Sequence, residues 1–221
     1  YQAVQIGDQL WMKENLKVTH FNNGDDIPTG YSNNDWTNLS TGAYAVYDDN
    51  ESNADIYGNL YNWFAVDDSR SIAPEGWHVP TDDEIKQLEM FLGMSQEEAD
   101  DTGWRGSNQG SQLAGNSNLW FGNSNLENDD EFGISGFEAL PGGFRGNEDG
   151  TFSHLTFFSY LWTVTETDVY DALHRRIYFE NLGVGRDSWS NSKSDGYSIR
   201  CLQDHLPQTI LIPADYPTIQ A

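Results

Sequence analysis

The sequence predicts an α+β domain, and three observations carry that prediction. Two helix candidates lie within Gly58–Gly93, GNLYNWFAVDDSRSIAPEGWHVPTDDEIKQLEMFLG, joined by a connector rich in Pro, Gly and Trp. Short runs before and after this stretch alternate apolar and polar residues, the period of a half-buried strand. Long segments of Asn, Gly and Ser separate those runs and suit loops. Two packed helices beside a strand-rich remainder make an α+β arrangement.

Taken in order, residues 4 to 18 alternate around Val4, Ile6 and Leu10, then Trp11, Met12, Leu16 and Val18, and Gly7-Asp8 supplies a hairpin turn between two strands. From Asn22 to Gly42 runs a polar loop. Its Trp36 has two readings, a plug for a small satellite core or a ring facing a ligand. AYAVYDD is a short strand that ends in Asp48, Asp49, Asn50, Glu51, Asn53 and Asp55. Calcium takes about six to eight oxygen ligands, and alternating carboxylates and amides on a tight loop supply several. The spacing is not that of an EF-hand, which needs Gly at the sixth place and Glu at the twelfth. A solvated turn capping a helix that begins near Ile56 is the other reading. In that helix Leu60, Trp63, Phe64 and Asp67 step round one turn after another, and Tyr57, Tyr61 and Ala65 widen its apolar face.

The second helix is signalled by a capping box, Thr81 with Glu84, preceded by Pro80 and enclosing Asp82 and Asp83 at the positive end of the helix dipole. Ile85, Leu88, Phe91 and Leu92 follow at helical spacing, and Gly93 ends it. Ser95 and Glu98 repeat the box before a short helical turn. The region from Gly103 to Gly136 is Gly/Asn/Ser-rich and punctuated by Trp104, Leu113, Trp120, Phe121, Leu126, Phe132 and Ile134. Loops this long are functional or tied down. Here the readings are a ligand-facing region using Trp104, Asn118 and Trp120, or a loop pinned by its aromatics. In FEALPGG, Gly142 and Gly143 form an architectural turn, and Asp149-Gly150 the tip of a hairpin. LWTVTE, HRRIYFE and GYSIRCLQ read as strands of one sheet. The loop Gly183–Gly196 carries Arg186, Asp187, Trp189, Asn191 and Lys193, which either cradle a polar ligand or form a hairpin with Trp189 packed inward.

Composition narrows the function classes. The 221 residues carry 35 Asp and Glu against 11 Lys and Arg, a formal charge of -24. Such a surface repels phosphate backbones and anionic lipid, so nucleic acid and membrane-surface partners are not expected. No apolar run approaches the roughly 20 residues of a membrane span. Because the chain opens at Tyr1 and shows no signal peptide, it is expected to be a cut from a longer or processed protein. Cys201 is the single cysteine; it alternates with Tyr197 and Ile199 on one strand face and reads as a core residue. No P-loop, dinucleotide fingerprint or zinc spacing appears, and the five His are scattered, so no enzyme is expected. His78, at the start of the main helix, reads as structural.

VQIGDQLWMKENLKV, YDDNESNADIYGNLYNWFAV, GWHVPTDDEI, FEALPGG, LWTVTE and GYSIRCLQD occur in that order, and together they resemble the Fibrobacter succinogenes major paralogous domain over residues 4 to 204. The resemblance implies a module of bacterial surface or secreted proteins. It also implies a fold similar to the C-type-lectin and formylglycine-generating-enzyme group, with two helices flanking twisted antiparallel sheets and long loops on one side. The chemistry of the formylglycine generators uses a pair of cysteines and does not carry over to a chain with one. After residue 204, ILIPADYPTIQA resembles the first strand of a pectin-lyase-like β-helix. Residues 1–204 are therefore read as the domain, and residues 205–221 as a linker and the truncated start of an adjacent β-helix domain.

The functional expectation is a non-catalytic extracellular recognition or adhesion module. It would bind a glycan or cell-surface protein through Trp104, Asn118, Trp120, Arg186, Asp187, Trp189 and Asn191, with calcium held at residues 48–55. The alternative is a structural spacer or cap with calcium-stabilised loops.

Overall fold

The computed structural model describes residues 1–188 and 192–204. Trp189, Asn191 and the β-helix segment 205–221 lie outside the described residues. The hairpin β1 (Ala3–Ile6) and β2 (Gln9–Met12) closes with Ile6 opposite Gln9, around Gly7 at φ +59°. In the polar loop, Ser32 caps α1 (Asn33–Trp36). Trp36 is fully buried against Ala43 and Ala45, and its Nε1–H donates to the Ser194 carbonyl at 3.0 Å, so it is the plug of a satellite core.

The first helix candidate is corrected by the structure. It is three elements: α2 (Glu51–Tyr57), β4 (Leu60–Tyr61), which pairs with β3 (Tyr44–Ala45), and α3 (Trp63–Val66). Gly58 ends α2 at φ +76°, with the Asn15–Leu16 backbone too close to admit a Cβ. Tyr61 is drawn into extended geometry by reciprocal backbone hydrogen bonds with Tyr197 at 2.8 and 3.0 Å. Asn62 then restarts a helix, its side chain accepting from Ala65 N–H and Ala43 N–H.

The later helices follow the sequence more closely. After β5 (Trp77–His78) comes α4 (Asp82–Phe91) with its Thr81–Glu84 capping box formed and Gly93 just beyond it at φ +99°. The Ser95–Glu98 box starts α5 (Gln96–Asp100). The segment expected to be loop holds β6 (Gly103–Arg105) and α6 (Gln109–Leu113). A hairpin of β7 (Gly142–Arg145) and β8 (Phe152–Leu155) follows, then β9 (Phe158–Glu166), β10 (Ala172–Tyr178), β11 (Asn181–Asp187) and β12 (Leu202–Gln203). The first half of the Gly183–Gly196 loop is thus strand. Gly183 and Gly185 give no alternating side chains to signal it, yet they sit buried in mid-sheet.

All sheets of the described residues pair antiparallel. The main one runs β6-β11-β10-β9, and a second runs β1-β2-β12-β5. Between them passes residues 196–203, only the end of which is strand. Its backbone bonds to Met12, Leu16, Tyr61, Arg145 and Trp162. Tyr197, Ile199 and Cys201 enter one apolar cluster with Tyr61, Trp63 and Trp162, and Leu202 enters the other with Trp11, Leu88 and Phe137. The Cys201 thiol is buried, and burial pushes its pKa up to about 12, which suits a core residue.

Charge is buried as well as carbon. Asp82 and Glu89 lie on one face of α4, two turns apart, and meet arginines from three strands of the main sheet. Arg105 of β6 reaches Glu89 at 2.7 Å, Arg175 of β10 reaches Glu89 and Asp82 at 2.8 Å each, and Arg186 of β11 reaches Asp82 at 2.8 Å. Arg200 is buried against Asn15 and the carbonyls of Met12, Phe137 and Glu138, and burial lowers its pKa to about 9. Arg105, Arg145, Arg175, Lys193 and Arg200, five of the eleven cationic side chains, are inside the fold. The exterior is therefore more acidic than composition alone conveys. No helix among the described residues is long and apolar enough to cross a membrane.

Candidate ligand-binding face

Alternation gives the main sheet two unlike faces. One packs on α4 through Arg105, Leu161, Arg175, Ile177, Val184 and Arg186. The other carries Trp104, Phe158, Tyr160, Arg176 and Tyr178. Register places Tyr160, Arg176, Gly185 and Trp104 directly across from one another on four strands. A Cβ at Gly185 would collide with the Arg176 side chain, so the glycine is what lets that side chain lie across β11. Its guanidinium sits 4.4 Å from the Trp104 ring centroid and is held by Asp187 at 2.7 Å.

The rings continue beyond this row. Tyr178 is 6.3 Å from Trp104 and stacks on Phe158 at 4.4 Å; Phe158 meets His154 at 5.1 Å, and His154 meets Phe144 at 5.3 Å. Trp104 is 37% exposed, His154 is exposed, and Tyr178, Phe158 and Phe144 are half-buried. The result is a row of rings running from the sheet edge to the β7–β8 hairpin. Partial burial of the imidazole lowers the His154 pKa below its ordinary value.

At its Phe144 end the row opens on a cleft of about 300 Å³ lined by Phe144, Asn147, Glu148, Asp149, Asp195 and Tyr197, with the Thr151 and Ser153 side of the hairpin opposite. Asp195 is only 6% exposed. Its carboxylate accepts from the Asn147 N–H and the Tyr197 O–H, each at 2.8 Å. Burial, with the charges of Glu148 and Asp171 adding, pushes its pKa up to about 7 against the lowering effect of those two hydrogen bonds.

The residues expected to bind ligand are spread over several places. Trp104 lies in the ring row, and Asp187 supports it through Arg176. Arg186 points to the opposite face, where Asp82 and the carbonyls of Asp100 and Asp101 occupy its guanidinium. Trp120 is 4% exposed, with its Nε1–H on the Gly115 carbonyl at 3.1 Å; its ring belongs to the core and has no face to offer a ligand. Asn118 is exposed beside a separate shallow hollow with Glu127 and Asn128. Trp189 and Asn191 fall outside the described residues. Sequence reasoning missed Arg176, Tyr178 and Phe158, although the alternation of HRRIYFE places His174, Arg176 and Tyr178 on one face. It also missed Asp195, for which no local signal exists.

The acidic turn is taken up with backbone work. Asn50 caps α2 by accepting from Ser52 N–H, the Asn53 amide donates to the Tyr47 carbonyl at 2.9 Å, and Glu51, Asn53 and Asp55 are in α2 itself. Asp48 and Asp49 are exposed at φ +53°, and Asp55 lies 3.7 Å from Lys17. Among the described residues no group of three or more His, Cys, Asp or Glu is arranged to hold a metal ion. His78 bridges Asp204 at 2.6 Å and Glu84 at 3.0 Å, fastening the chain after β12 to α4.

These observations define an α+β domain with one sheet face locked to a helix by buried ion pairs and the other lined with rings. Residues 4–203 match the profile of the Fibrobacter succinogenes major domain, and the chain belongs to that family. No curated protein and no solved structure matches it.

Proposed function

We propose that this domain is a non-catalytic recognition module of the extracellular or cell-surface kind, which binds a glycan along the ring row from Trp104 to Phe144. The observation that supports it is the row itself: several partly exposed rings in successive contact, ending in a cleft with carboxylates, hydroxyls and backbone amides. Sugar rings pair an apolar face with a rim of hydroxyls, and such a surface answers both. Gly185 and the Arg176–Asp187 pair fix the Trp104 ring before any ligand arrives, which lowers the ordering cost of binding.

A C-type-lectin-like architecture is part of this reading, supported by short helices beside twisted antiparallel sheets and by the long, sparsely structured segment before β7. Calcium enters as a stabiliser of the 48–55 turn, and the parent chain as a surface protein with a neighbouring β-helix domain. The test is a glycan array and an insoluble-polysaccharide pull-down, with calcium and again with chelator. Trp104→Ala is expected to weaken glycan binding about thirtyfold, in line with the loss of about 2 kcal/mol for an aromatic anchor. Unchanged binding by that variant, or no glycan bound by the wild type in either condition, refutes the reading. A calcium-dependent melting temperature without any glycan ligand supports the spacer alternative instead.

A further inference from the structure

We infer that the cleft beside Asp195 receives a cationic amine, so that the glycan read by the ring row carries an amino sugar at that end. This rests on the glycan reading above and names its ligand class.

Three acidic side chains are buried among the described residues: Asp82, Glu89 and Asp195. Asp82 and Glu89 each face two arginines at 2.7–2.8 Å. Among the described residues the donors to Asp195 are neutral, the Asn147 N–H and the Tyr197 O–H. Among the described residues no Lys or Arg lines its cleft, and the charged lining is Glu148, Asp149 and Asp195. Lys193, two residues away, is committed to Glu166 at 2.8 Å. A buried carboxylate without a counter-ion is costly, and the fold solves that problem elsewhere with arginine. Here the described residues leave a cleft of about 300 Å³ beside the carboxylate.

The cleft also suits an ammonium in shape. Each carboxylate oxygen of Asp195 accepts one bond from the protein, from a neutral donor, so its negative charge stays uncompensated by the described residues. The half-buried Phe144 ring lines the cleft, and aromatic rings of this kind hold ammonium groups by cation–π attraction. Three carboxylates repel sulfated or carboxylated sugars, and a neutral sugar leaves the charge uncompensated. The groups facing Asp195 are Glu148 from the hairpin turn, Asp171 from the β9–β10 turn, Tyr160 of β9 and Tyr197. His174 packs on Tyr197 at 4.9 Å, and Arg176 is held by Asp187. The Asp195 carboxyl, pushed up to about 7, gains its charge as pH rises through neutrality.

The experiment is isothermal titration of the whole chain with two oligosaccharides: a glucosamine oligomer made permanently cationic by N-trimethylation, and its neutral N-acetylated counterpart. At pH 8 the cationic oligomer is expected to bind at least tenfold more tightly than the neutral one, and its affinity to fall several-fold at pH 6. Asp195→Asn keeps an acceptor for Asn147 and a polar partner for Tyr197. It is expected to abolish the preference for the cationic oligomer and to raise the ligand-free melting temperature at pH 8. Glu148→Gln, exposed on the rim, is expected to reduce the preference about threefold and decides the matter should Asp195→Asn not fold. Equal affinity for both oligomers, each weakened by Trp104→Ala, overturns the amine site and leaves the glycan reading standing. Binding of neither oligomer overturns both. Asp195-dependent binding of a trimethyl-lysine peptide with neither oligomer bound overturns the sugar source.

Discussion

The two faces of the main sheet bury charge in opposite ways. On the α4 face, every buried carboxylate has arginines against it, and the arrangement is closed. On the ring face, Asp195 is equally buried but among the described residues is met by an amide and a phenol. The first arrangement fixes how the helix sits on the sheet. The second leaves a charge imbalance at an open cleft, which is where binding free energy can be gained. A fold with few cations places its arginines where the structure needs closure, and Asp195 is the buried carboxylate that none of them meets among the described residues.

That comparison can be broken by experiment, starting with the largest effect. Glu89→Ala leaves Arg105 and Arg175 without their shared carboxylate, and the expected loss is roughly 3–5 kcal/mol of stability in urea denaturation. A loss under about 1 kcal/mol would show that the α4 face is not held by its charges. Next are opposite pH dependences. Burial works to raise Asp82, but the hydrogen bond from Arg186 and the charge and hydrogen bond of Arg175 outweigh it and hold it at about 2, below its unfolded value. Its stabilising contribution is present above about pH 4 and is lost as pH falls toward 2. Asp195, raised to about 7, does the reverse: the folded state prefers its proton, so stability falls as pH rises from about 4 to 7. Denaturation midpoints across pH 2–9 for Asp82→Asn and Asp195→Asn should each remove one of these slopes and leave the other. Trp104→Ala sharpens the contrast, since its loss in glycan affinity should come with a stability change within about 1 kcal/mol for so exposed a ring. Smallest is Thr81→Ala, which removes the α4 cap for about 1 kcal/mol and leaves binding untouched in the same titrations.

How much of this was legible follows from how far each residue's partners lie along the chain. The Thr81–Glu84 and Ser95–Glu98 boxes are local, and both helices begin where the boxes place them. The Gly7-Asp8 hairpin is local too. The stretch from Tyr57 to Asp67 has a helical apolar pattern, but Tyr61 is claimed by Tyr197 and Gly58 is pressed by Asn15, contacts that no window of neighbouring residues contains. Arg186 and Asp187 read alike as loop charges, yet one residue of strand register sends them to opposite faces. The burial of Asp195 arises only when the β7–β8 hairpin meets residues 195–197. Trp104 was legible as a ring in a polar setting, while its companions looked like ordinary strand residues.

The segment 196–203 that passes between the two cores also ties the beginning of the domain to its end. Arg200 bonds to Asn15 across 185 residues of chain, and the Met12 and Leu16 amides are satisfied by Cys201 and Ile199. During synthesis the first hairpin therefore waits, its edge open, until almost the last residue of the domain has emerged. Contacts so far apart along the chain raise its contact order, and slow folding is the expected consequence. Refolding rate should thus respond more to substitutions at Arg200 or Asn15 than to the loss of any helix cap.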